Sequence, residues 1–126
     1  MKKFFCALPI ILSGCGLFDS DFTTLVDDYS VGWIDSSCSM TLYNGPLAIM
    51  EGQIYQIGWN EEFIIAKRHP DCNRTLTDYF IVDIKENQKV QYSQTAGVYG
   101  PLSLDAFNEK LIALGVPSSV TFNFEP

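Results

Sequence analysis

Catalysis by this sequence would depend on one histidine. A nucleophile needs a neighbouring base and a third group that orients the base. His69 is the single histidine, and the chain contains no Gly-x-Ser-x-Gly, no glycine-rich phosphate loop and no His-Glu-x-x-His. We therefore predict no catalytic residues, no cofactor and no enzymatic activity.

Carboxylates offer a second chemistry, because a pair of them can perform acid–base work on a sugar. Asp27-Asp28 and Glu61-Glu62 are adjacent pairs. Neighbours on a strand point to opposite faces, so we predict a solvated acidic rim instead. Asp35 and Asp83 each end an apolar segment. Asp83 could be buried, face solvent or pair with a basic residue on the next strand.

The candidate binding residues are aromatic or basic. They are Trp33, Tyr55, Trp59, Lys67, Arg68 and His69. With Tyr79, the aromatic ones could line a carbohydrate or peptide groove, although such side chains usually fill the core of a small domain. With Arg74, the basic ones could contact an anionic envelope glycan, and a solvated strand end is the alternative.

Short strands are predicted to position these residues. Alternating apolar residues indicate strands at 29–34, 39–43, 53–59, 63–68, 78–85, 90–92 and 120–124. The segments 53–59 and 63–68 form a hairpin, and Tyr55, Ile57 and Trp59 share one face. Segment 78–85 is apolar on both faces, which is typical of a central strand that is covered on both sides.

One helix is predicted near the carboxyl end. Ser103 is an N-cap, Gly115 ends the helix and Pro117 forbids its continuation. Its apolar stripe consists of Leu104, Phe107, Leu111 and Leu114. The fold class is therefore α+β: an antiparallel sheet of about five to seven strands, a helix packed on it at about 103–114, and a final strand.

The amino-terminal segment has the pattern of an export signal. Two lysines precede an apolar run at 4–12, which is too short for a membrane span of about 20 residues. Leu12-Ser13-Gly14-Cys15 then resembles the lipobox of bacterial lipoproteins. An ordinary signal peptide with an incidental cysteine, or a buried strand, is the alternative.

The lipoprotein resemblance implies a specific location. It implies cleavage before Cys15, a diacylated thiol such as one carrying palmitate, and an acylated new amine. Several acyl chains give a stable membrane anchor. Gly16 follows the cysteine directly. In lipoproteins of bacteria with two membranes, an Asp at this position retains the protein in the inner membrane. The expected location is thus the cell membrane or the outer membrane, with Gly16 favouring the latter.

Cys38 and Cys72 remain after Cys6 is removed with the signal and Cys15 is lipidated. In an exported protein we predict a disulfide between them, worth on the order of 3–4 kcal/mol for a loop of about 33 residues. Two free buried thiols are the alternative. A metal site with His69 and Asp71 lacks the paired spacing of zinc ligands, so we predict no metal.

Length and charge limit the domain organisation and the classes of partner. The 126 residues allow one domain, and the net charge of −7 argues against nucleic acid as a partner. We expect a signal peptide at 1–14, a lipidated tether at 15–24 and a single α+β domain at 25–126. Signal removal takes away two lysines and no acid, so we expect the acidic domain to stand off the bilayer.

The mature segment also resembles small bacterial lipoproteins whose shared domain is uncharacterised. The resemblance lies in residues 55–60, 63–70, 79–83 and 100–102, and it implies no known activity.

Three functions follow as hypotheses. The main one is a lipid-anchored, non-enzymatic envelope protein that binds a protein or glycan partner or serves a structural role. The first alternative is an acidic inhibitor or immunity protein against a basic envelope hydrolase, which strongly salt-dependent binding would distinguish. The second is a small enzyme that uses Asp83 or His69 on an envelope substrate, which substitution of those two residues would distinguish.

Overall fold

The structure, a computed structural model, describes residues 20–34 and 36–126. The strands are β1 (Ser20–Val26), β2 (Tyr29–Ile34), β3 (Thr41–Asn44), β4 (Leu47–Met50), β5 (Gln53–Trp59), β6 (Phe63–His69), β7 (Asp78–Asp83) and β8 (Val98–Leu102). The helices are α1 (Ile84–Lys89) and α2 (Leu104–Leu114), and short 3-10 turns lie at Ser37–Ser39 and Pro70–Cys72. No helix within the described ranges is both long and apolar enough to cross a bilayer.

The eight strands form two antiparallel sheets. Sheet A has the order β1-β2-β3-β4 and sheet B has the order β5-β6-β7-β8. The α+β class is thereby confirmed, although the strands divide between two sheets instead of forming one. The predicted final strand pairs with β5 through one bridge, between Ile57 and Phe124.

The larger core lies between the two sheets and is called here the inter-sheet core. Its buried members come from both sheets and include Tyr29, Val31 and Leu42 of sheet A and Ile57 and Val82 of sheet B. Because Val31 and Leu42 face each other across β2 and β3, their side chains leave the same face of sheet A. Sheet-on-sheet packing of this kind removes one face of each sheet from water.

A bulge in β5 corrects the predicted alternation. The register between β5 and β6 shifts between Ile54 and Gln56, which leaves Tyr55 as the extra residue. Ile54 and Ile57 can therefore both enter the inter-sheet core despite their odd spacing. Ile57 and Trp59 share a face as predicted, whereas Tyr55 does not belong to it.

The smaller core lies between sheet B and α2 and is called here the helix-side core. It includes Ile65, Ile81 and Phe107. Strands β6 and β7 are therefore covered on both faces, which confirms the prediction for residues 78–83. Helix α2 begins after Ser103, whose side chain accepts from the Ala106 amide, and it ends at Gly115. Leu104, predicted in the apolar stripe, is the first residue of α2 and is 51 % exposed.

Several predicted boundaries differ from the structure, and strands β4 and β8 were not predicted. Residues 84–89 form α1 where the apolar pattern predicts the end of a strand and a turn, because Asp83 caps the amino end of this helix. Residues 90–92 belong to no strand. Strand β1 begins at Ser20, inside the segment predicted as a tether. The predicted lipobox with Cys15, and Asp35, lie outside the described residues.

Candidate functional site

Arg68 is the predicted binding residue with the largest set of contacts. It lies on β6, on the face directed to the other sheet, because its neighbour Ala66 contributes to the inter-sheet core. Its Nη2 donates to Oδ2 of Asp78 at 2.8 Å, and its Nη1 donates to the carbonyl of Glu51 at 2.9 Å. The guanidinium also lies 4.7 Å from the ring centre of Phe80. These contacts hold the cation rigidly in one orientation.

An open cleft of about 380 Å³ lies beside Arg68 and Phe80. Its walls are β4 and the residue after it on one side, and β8 with the preceding loop on the other. We call it the Arg68 cleft; its lining is Ala48, Ile49, Met50, Glu51, Arg68, Phe80, Gln94, Thr95, Val98, Gly100 and Pro101. Gln94 Nε2 donates to the Ala48 carbonyl at 2.9 Å and so joins the two walls. Because β4 and β8 are edge strands, the cleft lies between two strand edges whose outer backbone groups no other strand pairs with in the described sheets.

Arg68 also borders a second hollow of about 340 Å³. This hollow lies against Glu51 and the disulfide between Cys38 and Cys72. The disulfide joins the loop before β3 to the turn after β6, with the two Cα atoms 5.6 Å apart. Nε of Arg68 is buried and has no hydrogen-bond partner among the described residues. The arrangement offers a fixed cation between two shallow hollows, which suits recognition of a polar or extended ligand.

Lys67 is on the other face of β6 and does not join Arg68. Its Nζ is 4.7 Å from the ring centre of Phe122 and 5.9 Å from that of Tyr79, on the helix side of sheet B. Arg74 is exposed in the loop after the Pro70–Cys72 turn. The predicted basic residues therefore do not form one anion site, since adjacent strand residues point to opposite faces.

His69 and Tyr55 form a stacked pair at the end of the β5–β6 hairpin. Their ring centres are 3.8 Å apart and the rings are nearly parallel. Nδ1 of His69 is 2.9 Å from the Leu76 carbonyl, so this nitrogen carries a proton and donates. The Tyr55 hydroxyl is 2.8 Å from Oγ1 of Thr77. The pair thus fastens the loop after β6 to sheet B.

The aromatic candidates do not line one groove. Trp33 and Trp59 pack at the border of the inter-sheet core, and Trp59 meets the edge of Phe124 at 5.8 Å between ring centres. Tyr79 packs on Phe107 in the helix-side core. The structure therefore assigns these three rings mainly to packing, and any binding role for Trp33, Trp59 and Tyr55 stays a prediction.

The candidate acid–base groups are apart and have local roles. Asp83 accepts a hydrogen bond from the Glu86 amide at the start of α1, and it forms no ion pair with a basic residue in the part of the chain that the structure describes. Asp27-Asp28 and Glu61-Glu62 are exposed, in keeping with an acidic rim. No group of three or more potential metal ligands occurs in residues 20–34 and 36–126. Both sulfur atoms that the metal alternative needed are joined to each other.

A buried polar network was missed by the sequence reasoning. The hydroxyl of Tyr29 donates to Oδ1 of Asn87 at 2.6 Å, and Nδ2 of Asn44 approaches the same oxygen at 3.3 Å. Nδ2 of Asn87 donates in turn to the Ser93 and Ala96 carbonyls. Burial, with the charges of Asp27 and Asp28 as smaller causes, raises the pKa of Tyr29 to about 12. Asn87 carried no sequence signal, because its segment was predicted as a turn.

The Arg68–Asp78 pair was also missed. Residues 68 and 78 are direct partners in the register between β6 and β7. The register could not be predicted, because the alternation pattern does not fix which residues of β6 and β7 are paired across the loop that joins them. A correct strand register would have found the pair, since opposite charges facing each other stabilise a sheet.

In a comparison with protein-family models, residues 26–125 match one family, described as "Protein of unknown function (DUF3997)". Neither the curated proteins nor the solved structures contain a match to the chain.

Proposed function

The chain belongs to the DUF3997 family of proteins of unknown function. We propose that it is a lipid-anchored, non-enzymatic binding module of the cell envelope. The anchor is Cys15, by the resemblance of residues 12–15 to a lipobox. The binding surface is the Arg68 cleft. The partner is an envelope protein or glycan.

The disulfide between Cys38 and Cys72 is the observation that carries this proposal. Disulfides persist in oxidising compartments and are rare in the cytosol, where thiols are kept reduced. A disulfide in the folded domain and an export signal before it support the same compartment independently of each other.

Binding is favoured over catalysis by what the reactive side chains do. His69 donates to a backbone carbonyl, Asp83 caps α1 and Asp78 neutralises Arg68. Each group is held by a structural partner, and none of these hydrogen bonds, within the described residues, reaches a hydroxyl or thiol that the group could activate. An open cleft between the edge strands β4 and β8, bordered by the fixed Arg68–Asp78 pair, is instead a feature of a recognition surface.

The anchor is tested by metabolic labelling with an alkyne analogue of palmitate. We expect wild type and the matched control Cys6→Ala to incorporate the label, because Cys6 lies in the segment that is removed. Cys15→Ala should incorporate none. Equal labelling of Cys15→Ala and wild type would remove the anchor from the proposal.

The binding surface is tested by blocking the cleft. Thr95 lines the Arg68 cleft and is exposed, so Thr95→Arg should fill the opening without disturbing either core. Ala113→Arg on the exposed side of α2 is the matched control. Crosslinking in intact envelopes should capture a partner with wild type and the control, and lose that partner with Thr95→Arg. Retention of every crosslink by Thr95→Arg would assign binding to another surface.

The charge distribution favours a second candidate, an inhibitor of a basic hydrolase. Four basic residues are engaged within the protein: Lys67 and Lys110 lie over rings, and Arg68 and Lys89 pair with carboxylates. Most carboxylates of the described residues face solvent, so the surface presents mainly negative charge. Binding to a lysozyme-like hydrolase that weakens steeply with added salt would favour this function, and no binding at low salt would exclude it.

A further inference from the structure

The outer face of sheet A is not covered by any described element. Sheet B has the inter-sheet core on one side and α2 on the other, whereas sheet A has only the inter-sheet core. The uncovered face still carries large apolar side chains. Phe22 is 50 % exposed and Ile34 is 51 % exposed.

The register shows that these two residues share that face. Phe22 is opposite Gly32, and Ser20 is opposite Ile34, while Val31 points the other way into the inter-sheet core. The ring of Phe22 lies across Gly32, where a Cβ atom would collide with it. The ring centre of Phe22 is 5.8 Å from that of Tyr43 on β3. An apolar surface thus extends over β1, β2 and β3.

The same face carries no charge at its other positions. Thr24 and Ser30 accompany the aromatic residues on it, and Thr41 lies on the same side but is only 5 % exposed. Asp21 is opposite Trp33 and so lies on the inner side of the sheet. The acidic turn Asp27-Asp28 follows the far end of β1, about 20 Å from Ser20 at the rise of an extended strand.

The linker to the anchor is short. Only residues 16–19 separate Cys15 from β1, which begins at Ser20. Whatever conformation they adopt, the Cα atoms of Cys15 and Ser20 lie within about 18 Å of each other. Two of the four residues, Leu17 and Phe18, are themselves apolar. A domain on so short a linker stays beside the lipid headgroups, instead of standing off as the charge alone predicts.

We propose that the outer face of sheet A, around Phe22 and Ile34, rests against the lipid surface that holds the anchor. The inference rests on the proposed lipidation of Cys15. Aromatic and aliphatic side chains favour the boundary between headgroups and acyl chains, and the short linker brings this uncharged face to that boundary. The Asp27-Asp28 turn then points away from the bilayer.

The test uses mature, lipidated protein in phosphatidylcholine vesicles. Cys15 is acylated and Cys38 and Cys72 are joined, so Ile34→Cys provides one free thiol for a nitroxide label. Ile112→Cys is the matched control, because Ile112 is 83 % exposed on α2, beyond sheet B. The measurement compares collisions of each label with oxygen, which concentrates in lipid, and with a water-soluble nickel chelate.

We expect the oxygen-to-nickel ratio to be severalfold higher at position 34 than at position 112. If Ile34→Cys fails to fold, a label at Thr24→Cys, on the same face, should also give a higher oxygen-to-nickel ratio than the label at position 112. Equal ratios at the outer face and at position 112 would overturn the inference. Protection of position 34 from both reagents would also overturn it, because that result indicates a second copy or another protein on the face.

Flotation of the labelled protein with the vesicles separates the two proposals. Protein that floats but shows a water-exposed label at position 34 contradicts the contact and leaves the anchor in place. Protein that does not float contradicts the anchor itself, and the contact with it.

Discussion

Tyr29 and Asn87 form the polar connection between sheet A and the segment after β7. Both side chains are almost completely buried, and every polar atom named in the network has a partner. Such networks fix one arrangement of a core because an unpaired buried group is costly. The sequence could not reveal this pair, since neither residue type nor spacing links positions that are 58 residues apart.

Removal of the Tyr29 hydroxyl should lower the stability of the protein. Tyr29→Phe keeps the ring in the inter-sheet core and loses the hydrogen bond to Asn87, so we expect a loss of about 1 kcal/mol in the free energy of unfolding at pH 7. Denaturant unfolding measures it. Tyr92→Phe, on an exposed ring, is the control and should be neutral. Equal stability of Tyr29→Phe and wild type would mean that the bond contributes nothing.

The contribution of Tyr29 should also depend on pH. An unfolded tyrosine ionises near pH 10, whereas burial raises the pKa of Tyr29 in the folded protein to about 12. Between these values the unfolded state binds fewer protons than the folded state, so stability falls as the pH rises. The stability advantage of wild type over Tyr29→Phe should therefore be constant below pH 10 and shrink towards pH 12. An advantage that is unchanged over this range would contradict the raised pKa.

At the scale of elements, alternation and capping predicted β2, β3, β5, β6, β7 and helix α2, but not the edge strands β1, β4 and β8. Local interruptions account for the errors within the predicted elements. The bulge at Tyr55 reversed the expected phase of β5 before Gln56, while Ile57 and Trp59 kept it. Helix α1 has only six residues, so its pattern is too short to distinguish from a strand end, and its cap, Asp83, also fits a strand. The candidate site was predictable only in part. Arg68 was identified, but its partner Asp78 and the walls of the cleft depend on tertiary packing.

Gly58 should be required for the contact between β5 and the last segment. A Cβ atom at this position would collide with the carbonyl oxygen of Thr121. Gly58→Ala should therefore displace residues 121–124 and break the paired hydrogen bonds between Ile57 and Phe124. Amide hydrogen exchange at Phe124 should become faster. In the control Gly45→Ala, nothing lies within 4 Å of an added Cβ, and the strain from the positive φ of this residue falls on the β3–β4 turn, so exchange at Phe124 should stay slow.

At the scale of the whole molecule, two sheets are joined by one core and one covalent bond. The disulfide runs from the β2–β3 connection of sheet A to the turn after β6 of sheet B. Its formation was predicted from the count of cysteines in a chain that is itself predicted to be exported. That it joins two separate sheets was not predictable, because the division of the strands follows from side-chain packing between distant segments.

Reduction of the disulfide should destabilise the protein by about 3–4 kcal/mol, because the unfolded chain regains the freedom of a 34-residue separation. Unfolding by urea with and without reductant measures this loss. The double variant Cys38→Ala/Cys72→Ala should match reduced wild type and be insensitive to reductant. Thiols of native, unreduced protein should resist alkylation. Rapid alkylation of both would contradict the bridge.

Each sheet is built from one uninterrupted stretch of chain, and Glu51-Gly52 alone connects the two stretches. Every strand therefore finds its neighbour at short loop-closure cost, which favours rapid assembly. For a polypeptide threaded through a secretion pore from its amino terminus, the first half can assemble while the second is still in transit. In the proposed export, the Cys38–Cys72 disulfide can close only after Cys72, which follows β6, has also crossed the membrane, so this covalent link between the sheets forms later than sheet A.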